Sequence, residues 1–129
     1  MPAPDIRERI AQAAKDGRRP DGSAYRSLTT TAVRELTRRL KCNHRRVEQT
    51  ALEMEIIPER YTRNMTTLST KDQHRLLGCT ACVVGVGGLG GSVAEMLARI
   101  GVGRLRLVDG DHFEDSNLNR QRFADAASL

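Results

Sequence analysis

An α/β fold is predicted: a βαβ unit that opens a doubly wound, Rossmann-like sheet, preceded by a small helical extension. Three observations predict it. The stretch Thr80-Ala81-Cys82-Val83-Val84 reads as a buried strand and runs directly into Gly85-Val86-Gly87-Gly88-Leu89-Gly90. Leu89, Val93, Leu97 and Ile100 then recur at helical spacing. Leu105-Arg106-Leu107-Val108 follows as a second strand, closed by Asp109.

The composition suits such a fold. A chain of 129 residues holds one domain, or a small domain and part of another. Hydrophobic residues make up 39% and charged residues 29%, values of a globular rather than a disordered chain. With two Tyr, two Phe and no Trp, the core must come from Val, Leu, Ile and Ala. Three cysteines are too few for a disulfide scaffold, which points to a reducing cytoplasm. The start, Met1-Pro2-Ala3-Pro4-Asp5-Ile6-Arg7, has no apolar run of the secretory kind. Residues 76–94 are 19 positions without a charge, long enough to cross a bilayer. Six of them are glycine, and each would cost a helix interior ~1 kcal/mol relative to Ala. Strand, loop and helix start explain the run better, and no membrane partner is expected.

The first half reads as helical. Ile6, Ile10 and Ala14 are spaced by four. Gly17-Arg18-Arg19-Pro20-Asp21-Gly22-Ser23 is rich in turn residues and is expected to be a mobile linker. Ala32, Val33, Leu36 and Leu40 form one apolar stripe; Val47, Ala51 and Leu52 form a second, with Met54 and Ile56 extending its burial. Asn43 is the expected N-cap between these helices. Pro58 turns Ile57 away from helix, so the second helix should end near Glu55. Residues 1–63 carry 14 Lys or Arg against 9 Asp or Glu, whereas residues 64–129 carry 7 of each. The whole net charge of +5 therefore lies in the first half, and the domains are placed at residues 1–57 (a basic helical extension) and 58–129. Five of the nine residues 38–46 are basic, and two helices meeting at Lys41-Cys42-Asn43 have the form of a helix-turn-helix. Glu48, Glu53 and Glu55 follow at once and would repel phosphate. Nucleic acid is accordingly not expected as a partner, and a DNA-binding regulator stands as an alternative.

Thr70-Lys71-Asp72-Gln73 fits a capping box opening a short helix through Leu77. Within the glycine loop, Gly85, Gly87 and Gly90 satisfy the dinucleotide fingerprint. The first permits the tight turn, the second lets backbone approach a phosphate, and the third lets helix and strand pack closely. The following helix directs free N–H groups and a positive dipole end at a bound phosphate, and Gly101 and Gly103 end it. Asp109 lies 21 residues past Gly88, where a carboxylate can take a ribose hydroxyl. These features alone suit NAD as well as ATP, and an NAD-binding oxidoreductase is the other alternative. The cluster Ser116-Asn117-Leu118-Asn119-Arg120-Gln121 favours phosphoryl chemistry. Charge develops on phosphate oxygens as pyrophosphate leaves, and fixed Arg and Asn donors stabilise it.

Taken together, Gly85-Val-Gly-Gly-Leu-Gly90, Gly101-Val-Gly103, Val108-Asp-Gly-Asp111 and Ser116-Asn-Leu-Asn-Arg-Gln121 resemble the ThiF/MoeB/HesA group of ubiquitin-activating-type adenylyltransferases. Glu59-Arg-Tyr-Thr-Arg-Asn64 resembles the group's Arg-Tyr-x-Arg-Gln motif, with Asn64 in place of Gln. The resemblance covers about residues 60–123. It implies binding of ATP with Mg²⁺ and adenylation of the C-terminal carboxylate of a small ubiquitin-fold or sulfur-carrier protein. By the same resemblance, Gly85, Gly87, Gly88 and Gly90 cradle the nucleotide, with Gly88 against the phosphates, and Asp109 holds the ribose. Asn117 and Arg120 reach the phosphates, and Ser116 and Asp111 complete the cofactor-binding set, Asp111 either there or only as a shaper of its turn. Arg63 corresponds to an arginine lent to the neighbouring subunit's ATP, which implies a homodimer. Arg63, Asn117 and Arg120 are thus the catalytic candidates.

The remaining features carry less chemistry. Cys79-Thr-Ala-Cys82 has half of a zinc spacing, but structural zinc needs four ligands, and no metal site is expected. Cys82 should be an inert, buried thiol. His44, His74 and His112 are scattered and receive no role, and Arg104 and Arg106 should be solvated. Two strands and one crossover helix cannot cover both faces of a parallel sheet. The chain is therefore expected to be an N-terminal piece whose substrate-binding half lies past Leu129, poorly stable or oligomeric by itself.

Overall fold

The computed structural model describes residues 5–129, which pack as two units divided between Leu77 and Gly78. The first unit contains α1 (Ile6–Ala13), β1 (Lys15–Arg18), β2 (Ala24–Leu28), α2 (Thr30–Leu40), α3 (His44–Glu53) and β3 (Ile56–Pro58). A 3₁₀ helix (Glu59–Thr66) and α4 (Thr70–Gly78) follow. The apolar stripes behave as their spacing requires: Ile10, Val33, Leu36, Val47 and Ala51 share one core with Leu28 and Ile56. Thr29 caps α2 by accepting from the Ala32 amide, and Asn43 caps α3 by accepting from the Arg46 amide at 2.8 Å. Lys41, left-handed at φ 50, ends α2 and lets the chain turn into α3.

Three expectations for this unit need correction. The extension is not purely helical, because it holds a sheet in the order β1-β2-β3. The segment Gly17 to Ser23 is not a linker but the end of an antiparallel hairpin, with Lys15 opposite Ser27 and Arg18 opposite Ala24. Its turn is closed by Arg19 N–H to Ser23 C=O at 2.9 Å and by Asp21 accepting from Ser23, with Gly22 at φ 84. Strand β1 is Lys-Asp-Gly-Arg, an edge with no apolar alternation to betray it. The helix cap near residue 70 is set one residue earlier than expected: Ser69 and Asp72 bond reciprocally, the Asp72 amide donating to Ser69 Oγ at 3.1 Å and the Ser69 amide to Asp72 Oδ2 at 3.0 Å.

Beyond α3 the chain turns through Glu55 (φ 57) and enters β3, which runs parallel to β2. Tyr61 and Leu77 pack with Leu52 and Ile57 in a second core cluster. The packing boundary therefore falls after Leu77 rather than after Ile57, since residues on both sides of Ile57 share this core.

The second unit contains β4 (Thr80–Val84), α5 (Gly88–Ile100), β5 (Arg104–Val108) and a short 3₁₀ turn (Asp115–Asn117). Strands β4 and β5 are parallel, pairing from Thr80 with Arg104 to Val84 with Val108, and α5 is the crossover. Gly101, at φ 105, ends α5 as expected. Small residues line the buried side of the helix: Gly91 and Ala94 are buried, and Gly90 comes up against Val83 of β4. The predicted stripe therefore points elsewhere: Leu89 is 81% exposed, Val93 and Ile100 are open, and only Leu97 is half-buried. Strand β4 is likewise not buried, since Val84 is 79% exposed, and Cys82, expected inside, is exposed along with Cys79. Among the described residues, one helix and one partner strand are all that cover it. No helix among the described residues is long and apolar enough to cross a membrane.

Candidate nucleotide-binding site

The glycine loop is built by two constraints that no other residue meets. Gly85 leaves β4 at φ 83, with its N–H donating to Val108 C=O at 2.8 Å. A Cβ on Gly90 would lie 1.7 Å from the Gly85 carbonyl oxygen. The turn thus closes only if Gly90 is bare. Gly87 precedes α5 as its N-cap and offers no side chain to the first N–H groups of the helix. Those donors and the positive end of the helix dipole face outward, as an anion site requires. A Cβ on Gly87 would meet only the Gln121 side chain, at 3.6 Å, and one on Gly88 only the Arg120 carbonyl, at 3.8 Å.

Asp109, at the end of β5, ties the loop to the strand. Its Oδ2 accepts from the Val86 amide at 2.7 Å and its Oδ1 from the Asp111 amide at 3.0 Å. These N–H donors, Asp111's first, hold its carboxyl below the usual range. Each oxygen keeps a lone pair, so the exposed carboxylate can still accept from a ribose hydroxyl. A lowered pKa means that its contribution to loop order is present above the ordinary carboxylate range and is lost as pH falls through the folded value. The Val86 and Asp111 amide resonances should therefore titrate together in acid, with a midpoint below the ~3.9 of a free aspartate. A midpoint at or above that value would show that the carboxylate does not hold the two amides.

The segment after Asp111 folds back over the loop. Asn117 Oδ1 accepts from the Glu114 amide at 2.8 Å, closing a capping box. Arg120 Nη1 donates to the Ser116 carbonyl at 2.6 Å and to Asn119 Oδ1 at 3.2 Å. Arg122 pairs with Glu95 of α5 at 2.8 Å, and the same carboxylate takes Arg99, which with Arg122 holds it below its usual pKa.

A cleft of about 890 Å³ lies between these parts, lined by Val86, Gly87, Asp109, Asp111, Asn117 and Gln121 among others. Of the candidate residues, Gly87, Asp109, Asp111 and Asn117 thus meet in one place. Gly85, Gly88 and Gly90 shape its wall, while Ser116 and Arg120 bond each other beside it and do not line it. Arg63 belongs to the first unit, where it is exposed with no ion-pair partner among the described residues. Sequence reasoning missed Gln121, Phe123 and His112 as lining residues. Gln121 was within reach: four residues past Asn117, it donates its N–H to the Asn117 carbonyl and lies on the same side of that turn. Among the described residues no three His, Cys, Asp or Glu side chains gather as a metal site would require.

A glycine loop between parallel strands, a helix N-terminus aimed into a cleft and a carboxylate at the second strand's end define a nucleotide-binding βαβ unit of Rossmann type. The ThiF family profile matches residues 61–129, and the chain belongs to that family. It is 44% identical over 64 residues to the tRNA threonylcarbamoyladenosine dehydratase of Bacillus subtilis, covering 50% of this chain and 25% of that protein. It is 46% identical over 65 residues to the SAMP-activating enzyme E1 of Haloferax volcanii, covering 49% and 24%. Its fold also resembles that of E. coli MccB crystallised with ATP, with a TM-score of 0.51 and 24% identity over 78% of this chain and 31% of that one. The matched part of the chain thus spans a quarter or less of the length of the curated relatives it matches.

Proposed function

We propose that this chain supplies the nucleotide-binding part of an ATP-dependent adenylyltransferase acting on the C-terminal carboxylate of a small ubiquitin-like or sulfur-carrier protein. The observation that carries the reading is the convergence of Gly87, the uncapped N-terminus of α5, Asp109 and Asn117 on one cleft. ATP fits this donor set as substrate. The helix N-terminus would take phosphate oxygens, Asp109 a ribose hydroxyl, and the Asn117 amide a further oxygen. The acceptor carboxylate attacks the α-phosphate and pyrophosphate departs. The protein's part is to hold the chain of phosphates in line and to offset the charge that grows on the departing oxygens. Arg120, now bonded to the Ser116 carbonyl, and Arg63 are the cations available for this. Mg²⁺ would arrive on the triphosphate. The relative named SAMP-activating enzyme E1 supports an activating role, and the ATP-bound fold neighbour supports the nucleotide. A cytoplasmic homodimer, with Arg63 lent across its interface, is part of the proposal.

Calorimetry on the protein as encoded, with any residues that follow Leu129, tests the nucleotide. ATP with Mg²⁺ is expected to bind at least tenfold more tightly than NADH, a difference of about 1.4 kcal/mol. Equal or tighter binding of NADH would replace the adenylyltransferase by the oxidoreductase.

A further inference from the structure

Glu48 has no place in the site above, yet it is buried. It sits on α3 with 3% of its surface exposed. Its carboxylate meets the cation of Arg60, with Nη2 at 2.6 Å. Burial pushes the Glu48 carboxyl up, and the Arg60 charge, then that of His44, opposes the shift. The pair is buried on one side only, since the Arg60 side chain is 51% exposed, and solvent there limits what it adds to stability. What it does supply is direction.

Arg60 is the second residue of the 3₁₀ helix that carries Arg63. A 3₁₀ helix has three residues per turn, so side chains three apart are eclipsed on one side. Arg60 and Arg63 therefore stand one turn apart on the same side of the 3₁₀ helix. The Arg60 guanidinium lies 4.7 Å from the centroid of the Tyr61 ring, and Tyr61 is itself buried at 1% exposure. Burial, with the Glu48 charge adding to it, pushes the Tyr61 phenol up to about 12, so the ring stays neutral beside the pair. On the far side, Asn64 Nδ2 donates to Oε1 of the fully buried Gln73 at 2.9 Å. The backbone on both sides of Arg63 is thus pinned, and Arg63 is an exposed cation without an ion pair among the described residues.

We propose that Glu48 is a positioning residue for Arg63, acting through Arg60 to fix the side of the 3₁₀ helix from which Arg63 reaches phosphate. This rests on reading Arg63 as a phosphate clamp. It gives the N-terminal extension, which lies outside the family match, a part in the chemistry.

A double-mutant cycle in ATP–pyrophosphate exchange, on the protein as encoded, tests it. Glu48→Gln is expected to lower kcat about tenfold with the KM for ATP changed less than twofold. In an Arg63→Ala background it should lower the rate no further, because a residue that acts through Arg63 is silent once Arg63 is gone. The pair Glu48→Met with Arg60→Met strands neither charge and guards against a misfolded single variant; it too should lower kcat while leaving the melting temperature near that of the parent. Unchanged kcat in either variant, or a Glu48→Gln loss that multiplies in full with that of Arg63→Ala, would overturn the proposal. If Arg63→Ala alone leaves exchange intact, the phosphate-clamp reading fails and takes this one with it.

Discussion

Arg63→Ala is expected to cut ATP–pyrophosphate exchange by ~10³-fold or more, the scale of arginine-finger effects, without changing the melting temperature. The side chain is exposed and makes no ion pair among the described residues, so its loss leaves nothing buried and unpaired. The planar guanidinium can meet two phosphate oxygens at once, which an ammonium cannot. Arg63→Lys should therefore recover little. If the residue serves a neighbouring subunit, mixing Arg63→Ala chains with Asp109→Ala chains should restore part of the activity. One site of the mixed dimer then receives an intact Asp109 from one chain and an intact Arg63 from the other. Absence of rescue between subunits shown to exchange would confine Arg63 to its own chain.

Gly90→Ala is expected to abolish the native glycine loop. The added Cβ would lie 1.7 Å from the Gly85 carbonyl oxygen; the Cβ position is set by the Gly90 backbone and the oxygen is itself backbone, so no rotamer change relieves the clash. Overpacking a well-filled core costs ~1–3 kcal/mol, and a backbone collision belongs at or beyond the top of that range. Hydrogen exchange should show loss of protection throughout β4 and β5, and nucleotide binding should vanish with it. Gly87→Ala is the informative contrast, because its Cβ would meet only the Gln121 side chain at ordinary distance. That variant should keep its protected strands and lose affinity for nucleotide alone. Retained strand protection in Gly90→Ala would mean that the loop has a second way to close.

The parts of this fold legible in the sequence are those where one residue type has one physical use. Asn43 before a helix, Gly85 at positive φ, Gly90 under a carbonyl and Gly101 at a helix end could be assigned one by one. The hairpin of β1 and β2 was hidden because Lys-Asp-Gly-Arg lies at an edge, where one row of backbone groups faces solvent and side-chain alternation carries no burial signal. The outward face of α5 was misread for the opposite reason. Leu89, Val93 and Ile100 have the periodicity of a buried stripe, but the buried side of the helix is another one, carrying Gly90, Gly91 and Ala94. Hydropathy reports that a face is apolar and says nothing of what lies opposite it. Within the cleft, Asp109 could be named from its distance past the glycines and Asn117 from its Asn-Arg-Gln cluster and the family resemblance, whereas Gln121 of the same cluster takes its place in the lining from the turn at Asp115–Asn117 that carries it there.

The outward face of α5 gives any contact made through it a dependence on temperature. Leu89, Val93, Met96 and Ile100 follow one another along the helix at spacings of three and four, all open to water. Contact made through such side chains is driven near room temperature by released water rather than by heat, and its strength declines on cooling. Material kept cold would thus show less self-association than the same material warmed, and sedimentation at two temperatures would read the sign directly. Calorimetric dilution should carry the matching mark, a negative heat-capacity change on association in proportion to the apolar area covered.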